Sequence, residues 1–541
     1  MHGTQTLELM LRCLSNIDEE VLYHACLALY ALIQRSPPAR ILFLRKQGIA
    51  ELAECLRDYN TDVKATSLRI LCLLAAESDH AREEMRTEEV LLAILRTVQS
   101  YPAEDVTLPV LDAALEAIAH IVLSSRTNQD YIRSVSGLEP LAAALHHCVS
   151  HLPEHLPEPQ SPQIGADGGA QGGLGGSLDG RQYMSSAAGR RGRGSGTRVE
   201  PAATCGAPSA VTAAQSRPTT PGAGFSRPAT ASRVRDNAYD NPRRSSGDAL
   251  GQNGAQYGEN GSQYGGSSYP AAERPSLDLW KVTETACDAL NNVAYRNADN
   301  QAALLELGVL PACLTLLNRH VAASIESVSG VHAGALNLLI NMADTNRDSQ
   351  DALGSADAAA AVHRLLCSRG SPKLMCSACL LLSHVTWNHH PNQHLYGTEP
   401  AIRTLLSLLS PAGRAAVIDG AAVAGGAMMS AEEASGHATE LTLYSMMALV
   451  NLTYCNERVQ ESVRACGGVP LIQQQLSSPL YEARKTAAFC LGNLVRDNTS
   501  NARETVVSGG VEALLRCLND EDDDELSKTA YSAILHLGDA G

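Results

Sequence analysis

The stretch LYSMMALVNLTYCNERVQESVRACGGVPLIQQQLSSPLYEARKTAAFCLGNLVRDNTSNARETVVSGGVEALLRCL, residues Leu443–Leu518, states one pattern twice. Each half has a helix closing on L-x-N-L, a polar turn carrying Asn, a short helix, a Gly-Val pair and another apolar helix. Asn451 and Asn493 hold matching places 42 residues apart, and so do Gly468 and Gly510. A period of that length belongs to helical repeats of roughly 40 to 47 residues.

Working outward, the same third-helix position continues through Asn292, Asn341, His384, Asn451, Asn493 and His536, at intervals of 49, 43, 67, 42 and 43. Upstream, apolar residues recur at i, i+3, i+4 and i+7 in DEEVLYHACLALYALI, VKATSLRILCLLAA and LPVLDAALEAIAHIVL, the pattern of helices with a buried stripe. Ser36–Pro38 ends the first of these helices, because proline restrains the residue before it and cannot donate within a helix. One unit shows Glu88-Glu89 where the others have the Gly of the first turn. Counting third helices gives about nine repeats.

On these residues the chain resembles the armadillo family. The resemblance implies an all-α fold, a right-handed α-α superhelix of three-helix repeats whose third helices line a concave binding face. A solenoid grows by adding layers and needs no second core, so 541 residues do not require several globular domains. The composition agrees: aromatics are 4% against 44% for the whole apolar set, which suits small-residue helix packing better than sheets.

Two stretches interrupt the period. Residues 152–275 are rich in Gly, Ser and Arg and hold too few large apolar side chains to offset the entropy of ordering, so disorder is expected there. His120 and Asn292 lie 172 apart, which leaves about one repeat once this stretch is removed. It therefore reads as an insertion within one repeat, with N-terminal repeats in 1–151 continuous with C-terminal repeats in 276–541. The long interval before Asn451 contains PAGRAAVIDGAAVAGGAMMSAEEASG, read as a second, flexible insertion over 410–436.

The formal charge of -16 repels phosphate backbones, so nucleic acid is not the expected partner of the folded part. No run of 18 apolar residues and no signal-like start are found, which predicts a soluble cytoplasmic protein without a membrane span. The 15 Cys sit singly inside apolar patterns and read as small buried hydrophobes. Enzyme signatures such as a Walker loop, GxSxG or HExxH are absent, and no cofactor is expected.

The strongest functional signal is the row Asn292, Asn341, Asn451 and Asn493. Asn inside a helix is disfavoured by about half a kcal/mol, so its recurrence at one position requires a reason. Two roles satisfy that requirement: clamping the backbone of an extended ligand, since an amide both donates and accepts, or bonding a carbonyl of the adjacent repeat and stiffening the stack. The resemblance implies the first role for these four residues and, by position, for His384 and His536. The N-terminal half has Ala31, Leu73 and His120 there, which confines a groove to the last six repeats. In importin alpha a Trp precedes each Asn by one turn; here Asp288, Asn337, Met447 and Phe489 stand instead, which removes a cage for basic side chains.

Cys376, Cys379, His384, His389, His390 and His394 have the residue types of a zinc cluster, but C-x2-C needs a second convergent pair. Aligned on the repeat, Cys379 falls opposite Ala488, a packing position, and Cys376 opposite Lys485, read as exposed. No metal site is expected from this group. Within 152–275, eleven Arg against three acids lie between Arg181 and Arg244, and Thr220, Ser245 and Ser246 read as possible phosphorylation sites. These observations predict a non-enzymatic scaffold that binds a peptide or helix of a partner protein in its C-terminal groove. The alternative is a structural or assembly protein of the cytoskeleton or cilium, or a client-holding chaperone factor, that uses its outer or N-terminal surface.

Overall fold

The third helices of the inner repeats are buried on nearly every side. In Pro372–Thr386 every residue except Lys373 and Ser377 is buried, and a helix buried all round needs neighbours all round. The first two helices of the repeat supply one side, and the preceding and following third helices supply two more. Repetition of that arrangement gives the fold: an all-α, right-handed superhelical solenoid.

The computed structural model describes residues 2–15, 18–58, 61–87, 89–102, 106–153, 275–319, 326–367, 371–425, 430–518 and 524–539. Among them are 27 helices and no strand. Nine third helices run in order: Glu19–Arg35, Thr61–Glu77, Leu108–Val122, Pro275–Ala294, Glu326–Ala343, Pro372–Thr386, Ala431–Thr453, Tyr481–Val495 and Asp524–Asp539. No single described helix is long and apolar enough to cross a membrane. The sequence-predicted disorder of 152–275, and Thr220, Ser245 and Ser246, fall outside the described residues apart from the segment's ends.

The turn after the third helix is set by two adjacent residues. The first takes left-handed backbone: Ser124, Arg296, Thr345, Asn388, Cys455 and Asp497 all have φ between 49° and 57°. The second caps the next helix through its side chain, as Asn297 Oδ1 accepts from Asn300 N at 3.2 Å and Asn456 Oδ1 from Val459 N at 3.3 Å. These pairs recur at the intervals seen for the Asn row. At the other turn Gly308, Gly467 and Gly509 have positive φ, and Glu89 adopts the same conformation at φ 59° where the sequence lacks Gly.

The Gly-Gly pairs divide the work. Gly467 carries the left-handed backbone and has open space around it, whereas a Cβ on Gly510 would lie 2.2 Å from Gln473 Nε2 and 2.7 Å from Thr505 O. Gly510→Ala is thus expected to cost about 1–3 kcal/mol by overpacking. Gly467→Ala is expected to cost only about 1 kcal/mol of backbone strain. Denaturant midpoints of the two variants at unchanged slope check that ordering.

Repeat four has its first two helices at Arg126–Ser134 and Leu138–His151 and its third at Pro275–Ala294. The described residues on the two sides of the 154–274 segment cluster as one unit. Across this junction Thr285 Oγ1 donates to Asp112 Oδ1 at 2.7 Å, Arg319 Nη1 to Val149 O at 2.8 Å, and Gln129 Nε2 to Asn292 O at 2.8 Å.

Two expectations need correction. The stretch 410–436, read as flexible, contains a helix at Pro411–Gly425, and Ser430 with Glu433 forms a capping box that starts the 23-residue helix Ala431–Thr453. Its alanines are the strongest helix formers. Lys485, read as exposed, is buried, with Nζ 2.6 Å from Glu525 Oε2 on the last third helix.

Candidate functional site

The Asn row occupies one structural position, and its amides all reach back to the preceding repeat. Asn292 Nδ2 donates to Ala119 O at 3.0 Å, Asn341 Nδ2 to Asn291 Oδ1 at 2.7 Å, Asn451 Nδ2 to Ser383 O at 2.8 Å, and Asn493 Nδ2 to Val450 O at 3.0 Å. Each acceptor belongs to the residue immediately before the row position in the preceding repeat. The donor side of the row therefore serves the stack.

The acceptor side differs along the row. Asn292 Oδ1 accepts from the neighbouring Asn291 amide at 3.3 Å. For Asn451 and Asn493, Oδ1 receives no hydrogen bond among the described residues. Asn292 and Asn451 are half-buried, whereas Asn341 and Asn493 are buried. His384, also buried, turns Nδ1 toward Asp344 Oδ1 of the preceding repeat at 3.5 Å. His536 is half-buried on the last third helix.

One turn before the row, a half-buried line faces outward from the third helices: Glu116, Asp288, Asn337, Met447 and Phe489, interrupted by buried Leu380. Its character changes from acidic through polar to apolar toward the C-terminus. Beneath it, burial raises the proton affinity of the Asp112 carboxyl, and the Thr285 hydroxyl opposes that rise.

A second polar row, which the apolar periodicity does not reveal, lies on the first helices. Gln129, Gln301, Gln350 and Gln460 donate from Nε2 to the backbone carbonyls of the next row residues, Asn292, Asn341, His384 and Asn493, at 2.8 to 2.9 Å. Gln301 also caps Ala294 O at 3.2 Å, and the preceding Asn300 caps Val293 O at 3.0 Å while donating to Gln129 O at 3.2 Å. The last carbonyls of a helix have no partner within it, and these amides supply one from seven residues further on. The legible signal was the spacing N-x-x-N-Q at Asn297–Gln301, echoed at His389–Gln393.

The Cys/His group of repeat six does not converge. Cys376 and Cys379 are buried, His390 and His394 are exposed, and His389 caps the next helix through Nδ1 while its Nε2 meets Asp351 Oδ1 at 2.7 Å. Burial pushes the Cys379 thiol up to about 12.

No protein-family model matches the chain, and no curated protein matches it. Among solved structures, an engineered protein overlays with a TM-score of 0.54 at 16% identity, covering 99% of this chain and 100% of that one. A structure from work on a phosphorylation switch controlling the interaction between cadherin and beta-catenin overlays with a TM-score of 0.54 at 14% identity, covering 99% of this chain and 77% of that one. The class is an all-helical repeat solenoid similar to both, and at these identities the likeness concerns the fold alone.

Proposed function

We propose that this chain is a non-enzymatic, armadillo-type adaptor that binds an extended peptide of a partner protein along the third helices of its last six repeats. The observation that supports it is the asymmetry of the Asn amides. Their donors are held by the stack, which fixes the side chains, and at Asn451 and Asn493 the acceptor oxygens have no donor among the described residues. A fixed acceptor in successive repeats suits the backbone N–H groups of an extended chain and ignores its side chains. Selectivity would come from the adjoining line, where Met447 and Phe489 favour apolar ligand side chains and Asp288 a basic one. The same reading assigns the protein to the cytoplasm.

A peptide selected from a displayed random library against the full chain tests this reading. Its affinity is expected to fall about tenfold or more with Met447→Lys and Phe489→Lys together, and likewise with Asn451→Ala and Asn493→Ala together, a loss of roughly 1.4 kcal/mol or more. Unchanged affinity in variants with intact melting would remove the groove from the reading.

One observation favours a second reading, a structural or assembly protein of the cytoskeleton or cilium that uses its N-terminal surface: Leu9 and Ile41 are 61% and 55% exposed there. Cosedimentation with microtubules that is lost in Leu9→Asp with Ile41→Asp would support it, and a freely diffusing pool in cells would count against it.

A further inference from the structure

The helix Ala431–Thr453 is longer than the other third helices, and its first ten residues are exposed or half-buried, with burial beginning only at Leu441. Two of the half-buried residues in this extension, His437 and Glu440, face the third helix of repeat six. There the ligand atoms of Cys376, His437 and Glu440 all lie within 4.8 Å of one another. His437 Nδ1 is 3.2 Å from Glu440 Oε2, and Cys376 is 4% exposed. We propose that these three side chains form a zinc site that clamps the extension onto repeat six.

The donor set selects the metal. One thiolate, one imidazole and one carboxylate are borderline-to-soft ligands that suit Zn2+ and disfavour Mg2+ and Ca2+, which take oxygen cages. Bonds of about 2.0 Å at tetrahedral angles put N and O ligands about 3.3 Å apart, close to the His437–Glu440 separation, and the longer Zn–S bond places sulfur slightly further out. Three protein ligands leave the fourth position to water.

On binding, Zn2+ replaces the thiol proton, which passes to solvent, and the imidazole offers its ligating nitrogen unprotonated. The repeat-six Cys/His group, from which no metal site was expected, shares only Cys376 with this site; the other two ligands come from the next repeat, beyond Pro411–Gly425.

The test uses the full chain, stripped with chelator and titrated with Co2+ and Zn2+. Wild type is expected to show thiolate-to-cobalt charge-transfer absorption that is abolished by Cys376→Ser and by His437→Ala. It is expected to survive Cys379→Ser, and also Cys72→Ser, which removes the thiol of a separate trio with Glu116 and His120. Glu440→Gln is expected to weaken zinc by about a hundredfold, since even outer partners of metal ligands cost 10- to 100-fold. Zinc is also expected to slow amide exchange over residues 431–440 in wild type and not in His437→Ala. An absent thiolate band in folded wild type, or a band that persists in Cys376→Ser, would overturn the site. If Cys376→Ser fails to fold, the half-exposed His437→Ala and Glu440→Gln decide: unchanged cobalt spectra in both overturn it.

Discussion

Residues 1–153 and 275–541, expressed as two chains in one cell, are expected to copurify, and Gln129→Ala with Asn300→Ala is expected to separate them. The expectation follows from where the junction places its polar groups. Gln129 Nε2 serves Asn292 O and Tyr295 O, and Asn300 Nδ2 serves Gln129 O and Val293 O. Arg133 Nη1 donates to Asn300 Oδ1 at 2.6 Å, and His146 Nε2 meets Leu307 O at 2.9 Å. Around this network Leu111, Leu115 and Ile118 from one side and Trp280, Ala286 and Leu290 from the other are buried.

Removing both amides leaves three carbonyls across the junction without these donors (Asn292 O, Tyr295 O and Gln129 O), besides Val293 O within the C-terminal half, at about 1–3 kcal/mol for each buried one. Because the groups share a network, the losses do not simply add, and a total on the order of 5 kcal/mol is the working figure. That corresponds to roughly three to four decades in the affinity of one half for the other. Size-exclusion chromatography reads the outcome. Two wild-type halves that elute apart, each folded, would sink the idea that one repeat spans the insertion.

The repeat was legible because its markers are local. The left-handed residue and the cap that follows it sit side by side, as at Arg296–Asn297 and Cys455–Asn456, and the row asparagines keep the same spacing. The polar rows were half legible. Asn341 and Asn493 were identifiable by position, but their partners lie 50 and 43 residues back, and nothing near them in sequence names a carbonyl as the acceptor. Gln301 and Gln350 were missed because a search for apolar stripes discards the polar residues of a first helix. The helix Pro411–Gly425 was missed because the stretch was read only as an interruption of the repeat interval, although its alanines favour a helix. Lys485 was misplaced because alignment within the repeat says nothing of the carboxylate that the next third helix brings to it.

Stability is expected to fall steeply between pH 9 and 11. Burial raises the thiol of Cys148 from its ordinary 9.0 to about 11, and those of Cys379 and Cys490 to about 12. In this window the unfolded chain gives up thiol protons that the folded chain retains, so the unfolded state binds fewer protons and the free energy of unfolding declines as pH rises. Each such thiol contributes about 1.4 kcal/mol per pH unit, and three together about 4 kcal/mol per unit. Over two units the loss approaches the whole stability of an ordinary folded protein, about 5–15 kcal/mol. The same burial predicts that Cys367 and Cys455, both exposed, alkylate first in the native protein at lower pH. Urea titrations from pH 8 to 11 measure the slope. Replacing Cys148, Cys379 and Cys490 by Ala lowers stability at pH 8 through lost packing but should flatten the slope by about 1.4 kcal/mol per unit for each thiol removed. The two effects therefore separate as intercept and slope, and a triple variant that kept the wild-type slope would show that these thiols ionise in the folded chain as readily as in the unfolded one.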